Sequence, residues 1–254
     1  MENSNHPASD VRPDGRSVTS VQDANVQLLF QERTGSGGLW GAFFGALIGV
    51  GLAAGGFVIG VGATGVAGQT TSFWYLSRSA GMVAYLLLWG SVVWGLLLST
   101  KIGQGVLRAP ILLDAHQFVS NAALGFAVFH GLILMGDRYL SFPLHAVLVP
   151  FASQYEPLLV AAGQMGLWLS LTLSVSFLVR QKLGARRWRT LHYVSFLAFW
   201  AVFVHALLLG TDSKLPWSQM LYLFSAGAVV FLTAYRVLTT RRKPRSAAAV
   251  VTSA

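Results

Sequence analysis

Six runs of apolar residues are each long enough to cross the ~30 Å hydrocarbon core of a bilayer. They lie near 39–62, 73–99, 112–135, 158–179, 191–209 and 219–238. The gaps between them carry the chain breakers: Gly103, Gly105 and Pro110, then Pro143, Pro150 and Pro157, then Gly184, then Pro216. Lipid offers the backbone no hydrogen bonds, so a spanning run must satisfy its own N–H and C=O groups by coiling into a helix. The expected fold is therefore all-α: a polytopic membrane protein built as a six-transmembrane-helix bundle over residues 37–240. A polar segment, 1–36, reads as a disordered tail, and 241–254 as a short basic tail. Composition agrees, because 54% hydrophobic and 11% charged residues with a mean hydropathy of +0.58 exclude an ordinary soluble domain. No apolar stretch stands close to Met1, so no cleaved secretory signal is expected.

The net charge of +9 is not a nucleic-acid signature, because the basic residues sit in the gaps between apolar runs. Lys101 and Arg108 follow the second run; Arg180, Lys182, Arg186, Arg187 and Arg189 follow the fourth; Arg236, Arg241, Arg242, Lys243 and Arg245 close the sixth. Arg12, Arg16 and Arg33 stand in the first tail. The alternate gaps hold only Arg78, Arg138 and Lys214. The positive-inside rule then places both termini in the cytoplasm, with the protein multi-pass in the cell (inner or plasma) membrane. Trp40, Trp74, Trp188 and Trp217 fall near span ends, where indoles anchor at the headgroups. In the first run Gly37, Gly41, Gly45 and Gly49 recur every four residues. Such a stripe serves close helix packing, either inside the bundle or across a homo-oligomer seam.

Histidine in a membrane span is costly, and four occur here in two pairs. His116 and His130 stand fourteen residues apart on the third span, and His192 and His205 thirteen apart on the fifth. At 1.5 Å per residue each pair is separated by roughly 20 Å, which puts one imidazole near each face of the membrane. Both spans run from inside to outside, so His116 should meet His192 at the inner level and His130 should meet His205 at the outer one. Asp114 just before His116 is expected to cap the third helix. Fourteen residues return His130 to within roughly 40° of His116's face, but thirteen leave His205 about 140° from His192's. The fifth helix must therefore be tightened or bent between its histidines, or its ligands must approach from different flanks.

Zinc would need more ligands close together. Absence of cysteine removes thiolate zinc sites, iron–sulfur clusters and thioether-linked haem. A haem iron clamped between two imidazoles at each level fits two helices better. Two axial imidazoles leave the iron no free position, so such a centre passes electrons and does not bind dioxygen.

Three pieces of sequence resemble the ferric reductase-like transmembrane family, which includes ferric reductases, NADPH oxidases and the haem-binding membrane subunit of bacterial methionine sulfoxide reductase. These are the histidine segments HQFVSNAALGFAVFH and HYVSFLAFWAVFVH with their unequal spacing, the opening WYLSRSAGMVAYLLL of the second span, and the basic run RRWRTLH. The resemblance covers residues 39–240. It implies two stacked b-type haems on His116, His192, His130 and His205, with electrons moving outward from the cytoplasm. Family members often carry a flavin and nicotinamide domain after the last span. Only Thr239 to Ala254 follow it here, so the expected donor is a separate cytoplasmic flavoprotein reductase or reduced flavin, FMN or FAD. The family's oxidases place a further histidine where this chain has Leu134, which argues against superoxide production.

Arg78 is expected at outer-haem depth, where it would pair with a propionate, attract an anionic acceptor or reach the headgroups. Arg187 and Arg189 precede His192, where inner propionates would lie. Phe199 stands midway between His192 and His205 and would fill the space between haems. Asp137, Glu156 and Asp212 are outer-loop carboxylates, and His145 reads as a loop histidine. The expected function is that of an oxidoreductase module passing electrons to an external acceptor, ferric chelate or a periplasmic protein. A non-redox transporter or assembly anchor is the competing reading.

Overall fold

The computed structural model describes residues 70–100, 109–135 and 142–241. These contain helices and no strand: α1 (Thr70–Thr100), α2 (Ala109–Leu134), α3 (Leu144–Leu148), α4 (Pro157–Leu178), α5 (Arg180–Leu183), α6 (Ala185–His192), α7 (Val194–Leu209) and α8 (Pro216–Arg241). Five stretches are long and apolar enough to cross a membrane: Phe73–Thr100, Leu112–Leu134, Pro157–Leu178, Ala185–Leu209 and Pro216–Thr239. They match the expected second to sixth runs, and the chain is an all-α, multi-pass membrane protein. The expected first span at 39–62, with its glycine stripe, lies outside the described residues, as do residues 1–36, Lys101, Arg108, Asp137, Arg138 and 242–254.

Prolines act as helix starters. Pro110 lies in the first turn of α2, Pro157 opens α4 and Pro216 opens α8. A first-turn position has no intrahelical partner for its N–H, so proline costs nothing there. The expected cap at Asp114 is corrected accordingly: α2 begins at Ala109, and Asp114 lies within the helix. The fifth span also starts earlier than its apolar run, at Ala185, because the basic α6 leads into α7.

Burial runs opposite to a soluble bundle. Leu223 is 77% exposed, and Phe118, Leu158 and Phe231 also face outward, as side chains solvated by lipid do. Inside, α1, α7 and α8 bury Tyr85, Leu96, Phe199, Tyr222 and Val229 against one another. Several polar atoms there are paired. Tyr85 Oη bonds Ser225 Oγ, and Trp89 Nε1 donates to the Ser225 carbonyl at 3.2 Å. Trp94 Nε1 ties α1 to α2 through the Leu112 carbonyl at 3.0 Å. The closest neighbours are α1 with α2 and α4 with α7. The α4–α7 approach needs Gly166, where a Cβ would fall 2.2 Å from Val202 Cγ2.

The fifth span is not one continuous helix. Tyr193 interrupts it between α6 and α7. Its N–H donates to the Thr190 carbonyl at 3.2 Å, and the Phe196 N–H donates to the Tyr193 carbonyl at 3.1 Å. Both bonds close tighter, three-residue turns. The expected departure from one straight helix between His192 and His205 is found here, next to His192.

Candidate functional site

The structure brings the four span histidines together as two pairs. The rings of His116 and His192 stand 6.1 Å apart, centre to centre, with planes crossing at 73°. Those of His130 and His205 stand 6.3 Å apart at 77°. The first pair lies at the end of the bundle that carries Arg180, and the second at the end that carries Asp212.

Helix α1 supplies a repeated seat for the α2 histidines. Ser77 and Gly81 face His130; Ser91 and Gly95 face His116. Both serines and both glycines are fourteen residues apart, the spacing of the histidines they serve. A Cβ on Gly81 would lie 3.0 Å from His130 Nδ1, and one on Gly95 3.3 Å from His116 Cε1. On α4, Gly163 does the same for His205, with a Cβ falling 2.7 Å from Nδ1. Three of the four rings thus lie against backbone. His192 is held differently: it stacks on Trp188 at 5.1 Å and 27°, and Trp188 meets Phe177 at 6.0 Å.

Hydrogen bonding fixes which nitrogen each ring presents. His130 Nδ1 is 2.7 Å from the Ser77 carbonyl, and His205 Nδ1 is 2.8 Å from the Leu159 carbonyl. A carbonyl only accepts, so both Nδ1 atoms carry the proton and both Nε2 atoms keep a lone pair. A serine chain makes the same assignment for His116. Ser120 Oγ donates to the His116 carbonyl at 2.7 Å and is 2.6 Å from Ser91 Oγ, which is 3.5 Å from His116 Nδ1. With the Ser120 proton committed, Ser91 donates to Ser120 and accepts from His116.

A metal held between the two rings of a pair would fix their separation. A metal–imidazole bond is about 2 Å and a ring centre lies about 1 Å behind its donor nitrogen, so bridged rings stand about 6 Å apart. Both observed separations meet that distance. Among the described residues no three His, Cys, Asp or Glu side chains converge, so neither pair offers the closed ligand set that a bare ion takes. A metal held by such a pair would have to bring its remaining ligands with it.

Arg78, next to Ser77 on α1, is engaged by protein. Its guanidinium forms a two-point ion pair with Asp212 in the turn between α7 and α8, and lies 4.1 Å over Trp74. Asp212 carried no spacing signal, since the partners are 134 residues apart. Arg187 and Arg189 are exposed on α6, within two turns of His192. At the same end Arg236 donates to Tyr193 Oη at 3.4 Å. Arg180 donates to the Phe177 carbonyl at 3.2 Å and lies 3.8 Å over that ring; partial burial lowers its pKa from the usual arginine value. Phe199 is fully buried between the two levels and stacks on Tyr85 at 6.4 Å. His145 is exposed on α3.

The seats on α1 and α4 were not anticipated. The signal for α1 was present: SRSAG and SVVWG repeat a serine and a glycine at the histidine interval. Comparison of the chain with protein-family models, with curated proteins and with solved structures returned no match. The fold and the site define it as an all-α membrane protein with two levels of paired imidazoles.

Proposed function

We propose that this protein is the membrane module of an oxidoreductase, carrying electrons across the bilayer through two b-type haems. His116 and His192 hold one, His130 and His205 the other. The observation that carries the reading is the double pairing, with two ring separations matching a metal bridged by imidazoles. Haem would supply a one-electron carrier at each level. The chain's own residues do the rest. The Ser77 and Leu159 carbonyls hold the Nδ1 protons and keep Nε2 available; Gly81, Gly95 and Gly163 let the rings lie flush with the helices. The apolar spans exclude water. A role in helix contacts alone would use the Nδ1 bonds but would not require the rings to face each other twice.

The end with Arg180, Lys182, Arg186, Arg187 and Arg189 is the cytoplasmic one in this reading. Its positive charge suits an anionic donor such as reduced FMN or FAD, free or on a flavoprotein. The acceptor, ferric chelate or a periplasmic protein, meets the Asp212 end.

A reduced-minus-oxidised absorbance spectrum of the purified protein, with haem quantified per chain, tests the reading. About two haems are expected, with the sharp bands of six-coordinate b-type centres. A colourless protein after expression with ample haem would end it. Replacing His130 or His205 should remove one haem and spare the other, and loss of both from either change would contradict the two-level pairing.

A further inference from the structure

We infer that residues 143–156 form a half-inserted membrane segment whose partner is lipid acyl chains, dipping to the level of the His130–His205 pair instead of lying in water. This does not depend on the haem reading. It rests on where the backbone hydrogen bonds of the segment go.

A five-residue helix cannot satisfy its own ends, and in water it need not. Here the carbonyls of Pro143 and of His145 to Val149 are paired within the protein. The Pro143 carbonyl accepts from the Ala146 and Val147 N–H groups at 2.9 and 3.2 Å. His145 accepts from Val149 at 2.8 Å. Ala146 and Val147 both accept from Gln164 Nε2, at 2.7 and 3.0 Å. Leu148 accepts from Trp168 Nε1 at 2.8 Å, and Val149 from the Ala152 N–H at 3.2 Å. Two long polar side chains of a membrane span are committed to carbonyls that water would otherwise satisfy. That is the requirement placed on irregular backbone at membrane depth.

The anchoring points give the depth. Gln164 and Trp168 stand about 10 and 16 Å along α4 from its first residue. On the other flank, a Cβ on Gly131, beside His130, would meet Val147 Cγ1 at 3.0 Å, and Phe142, Ala146 and Val147 bury against Leu134. The outward faces are mostly apolar: Leu148, Val149, Phe151 and Tyr155 are exposed, Phe151 by 62%, with His145 and Gln154 the exposed polar side chains ahead of Glu156. No Asp, Glu, Lys or Arg occurs from Phe142 to Tyr155; the first charge is Glu156, at the exit. Phe151, with a left-handed φ of 67°, turns the chain back toward α4. His145 stands on the first turn of α3, where its ring can reach the headgroups.

The chain has no cysteine, so single cysteines can be placed without background. Val149→Cys and Leu148→Cys alter exposed side chains at the deepest point, and Lys214→Cys marks the water-exposed turn at the same end of the bundle. In the full chain, reconstituted in phosphatidylcholine vesicles, a charged maleimide should label both deep cysteines at least about tenfold more slowly than K214C. A bimane fluorophore on the deep cysteines should be quenched by lipids carrying a nitroxide on the acyl chain. Labelling of both as fast as K214C would overturn the inference in favour of a loop in water. Protection without lipid quenching would also overturn it, in favour of cover by protein.

Discussion

An imidazole held at Nδ1 presents Nε2 in a fixed direction, and His130 and His205 are held so by backbone carbonyls of neighbouring helices. Glycine makes that geometry accessible, since any side chain on Gly163 would occupy the place of the His205 ring. Gly163→Ala should therefore displace His205 and break its bond to Leu159 and, on the proposed haem reading, lower the haem content by about half while leaving the His116–His192 pair intact. Gly90 is the internal control, because a Cβ there meets nothing within 4 Å. Gly90→Ala should be neutral or stabilise its helix by about 0.5–1 kcal/mol. Haem per chain and thermal unfolding in detergent measure both. Equal loss from both substitutions would dissociate the glycine seats from the histidine pairs. At this scale the histidines were legible from their cost in lipid, and their partners were not. A carbonyl of Leu159 or Ser77 has no identity in a sequence; only the neighbouring helix turns it into an acceptor for a ring 46 or 53 residues away.

At the scale of elements, the segment from His192 to His205 is not one straight helix: it breaks at Tyr193, with two three-residue turns beside His192. An added residue inside α7 would turn His205 about 100° away from His130. Inserting one alanine between Phe199 and Trp200 should thus abolish the His130–His205 centre, even though it makes the spacing equal to that of α2. Retention of two haems in that variant, read from the same difference spectrum, would mean that the break absorbs register freely and fixes nothing. Spans were legible at this scale because apolar length is a direct consequence of bilayer thickness. The start of α2 was not, because the apolar run begins after the helix does: Pro110 and its neighbours occupy the first turn, and a turn of helix outside the hydrocarbon needs no apolar residues.

For the whole molecule, charge and burial are organised by the membrane. Basic residues of α5, α6 and the end of α8 gather at one end, and the ion pair of Arg78 with Asp212 joins α1 to the α7–α8 turn at the other. The positive-inside rule then gives a direct topology test. In intact cells a membrane-impermeant maleimide should label Lys214→Cys and leave Gln181→Cys unlabelled until the membrane is permeabilised. Labelling of both from one side would invalidate the alternation of the spans and with it the two-level arrangement relative to the membrane. If the donor is anionic, as proposed, salt should weaken its docking at the basic end, where the charges are exposed and screening is effective.

Sequence alone determined the class of this protein, because a chain of long uncharged apolar runs has no stable state in water and only one kind of backbone in lipid. It also singled out His116, His130, His192 and His205, since ionisable rings at such depth are costly and rare. Which ring faces which, which nitrogen each presents, and what supports it were decided by tertiary structure. Those properties are distances between helices far apart in the chain, set by Gly81, Gly95, Gly163 and Gly166 where backbones close up and by Tyr193 where a helix tightens. The dip of residues 143–156 belongs to the same category: its polar groups are answered by Gln164 and Trp168 across a helix boundary, and no local pattern announces a hydrogen bond made through space.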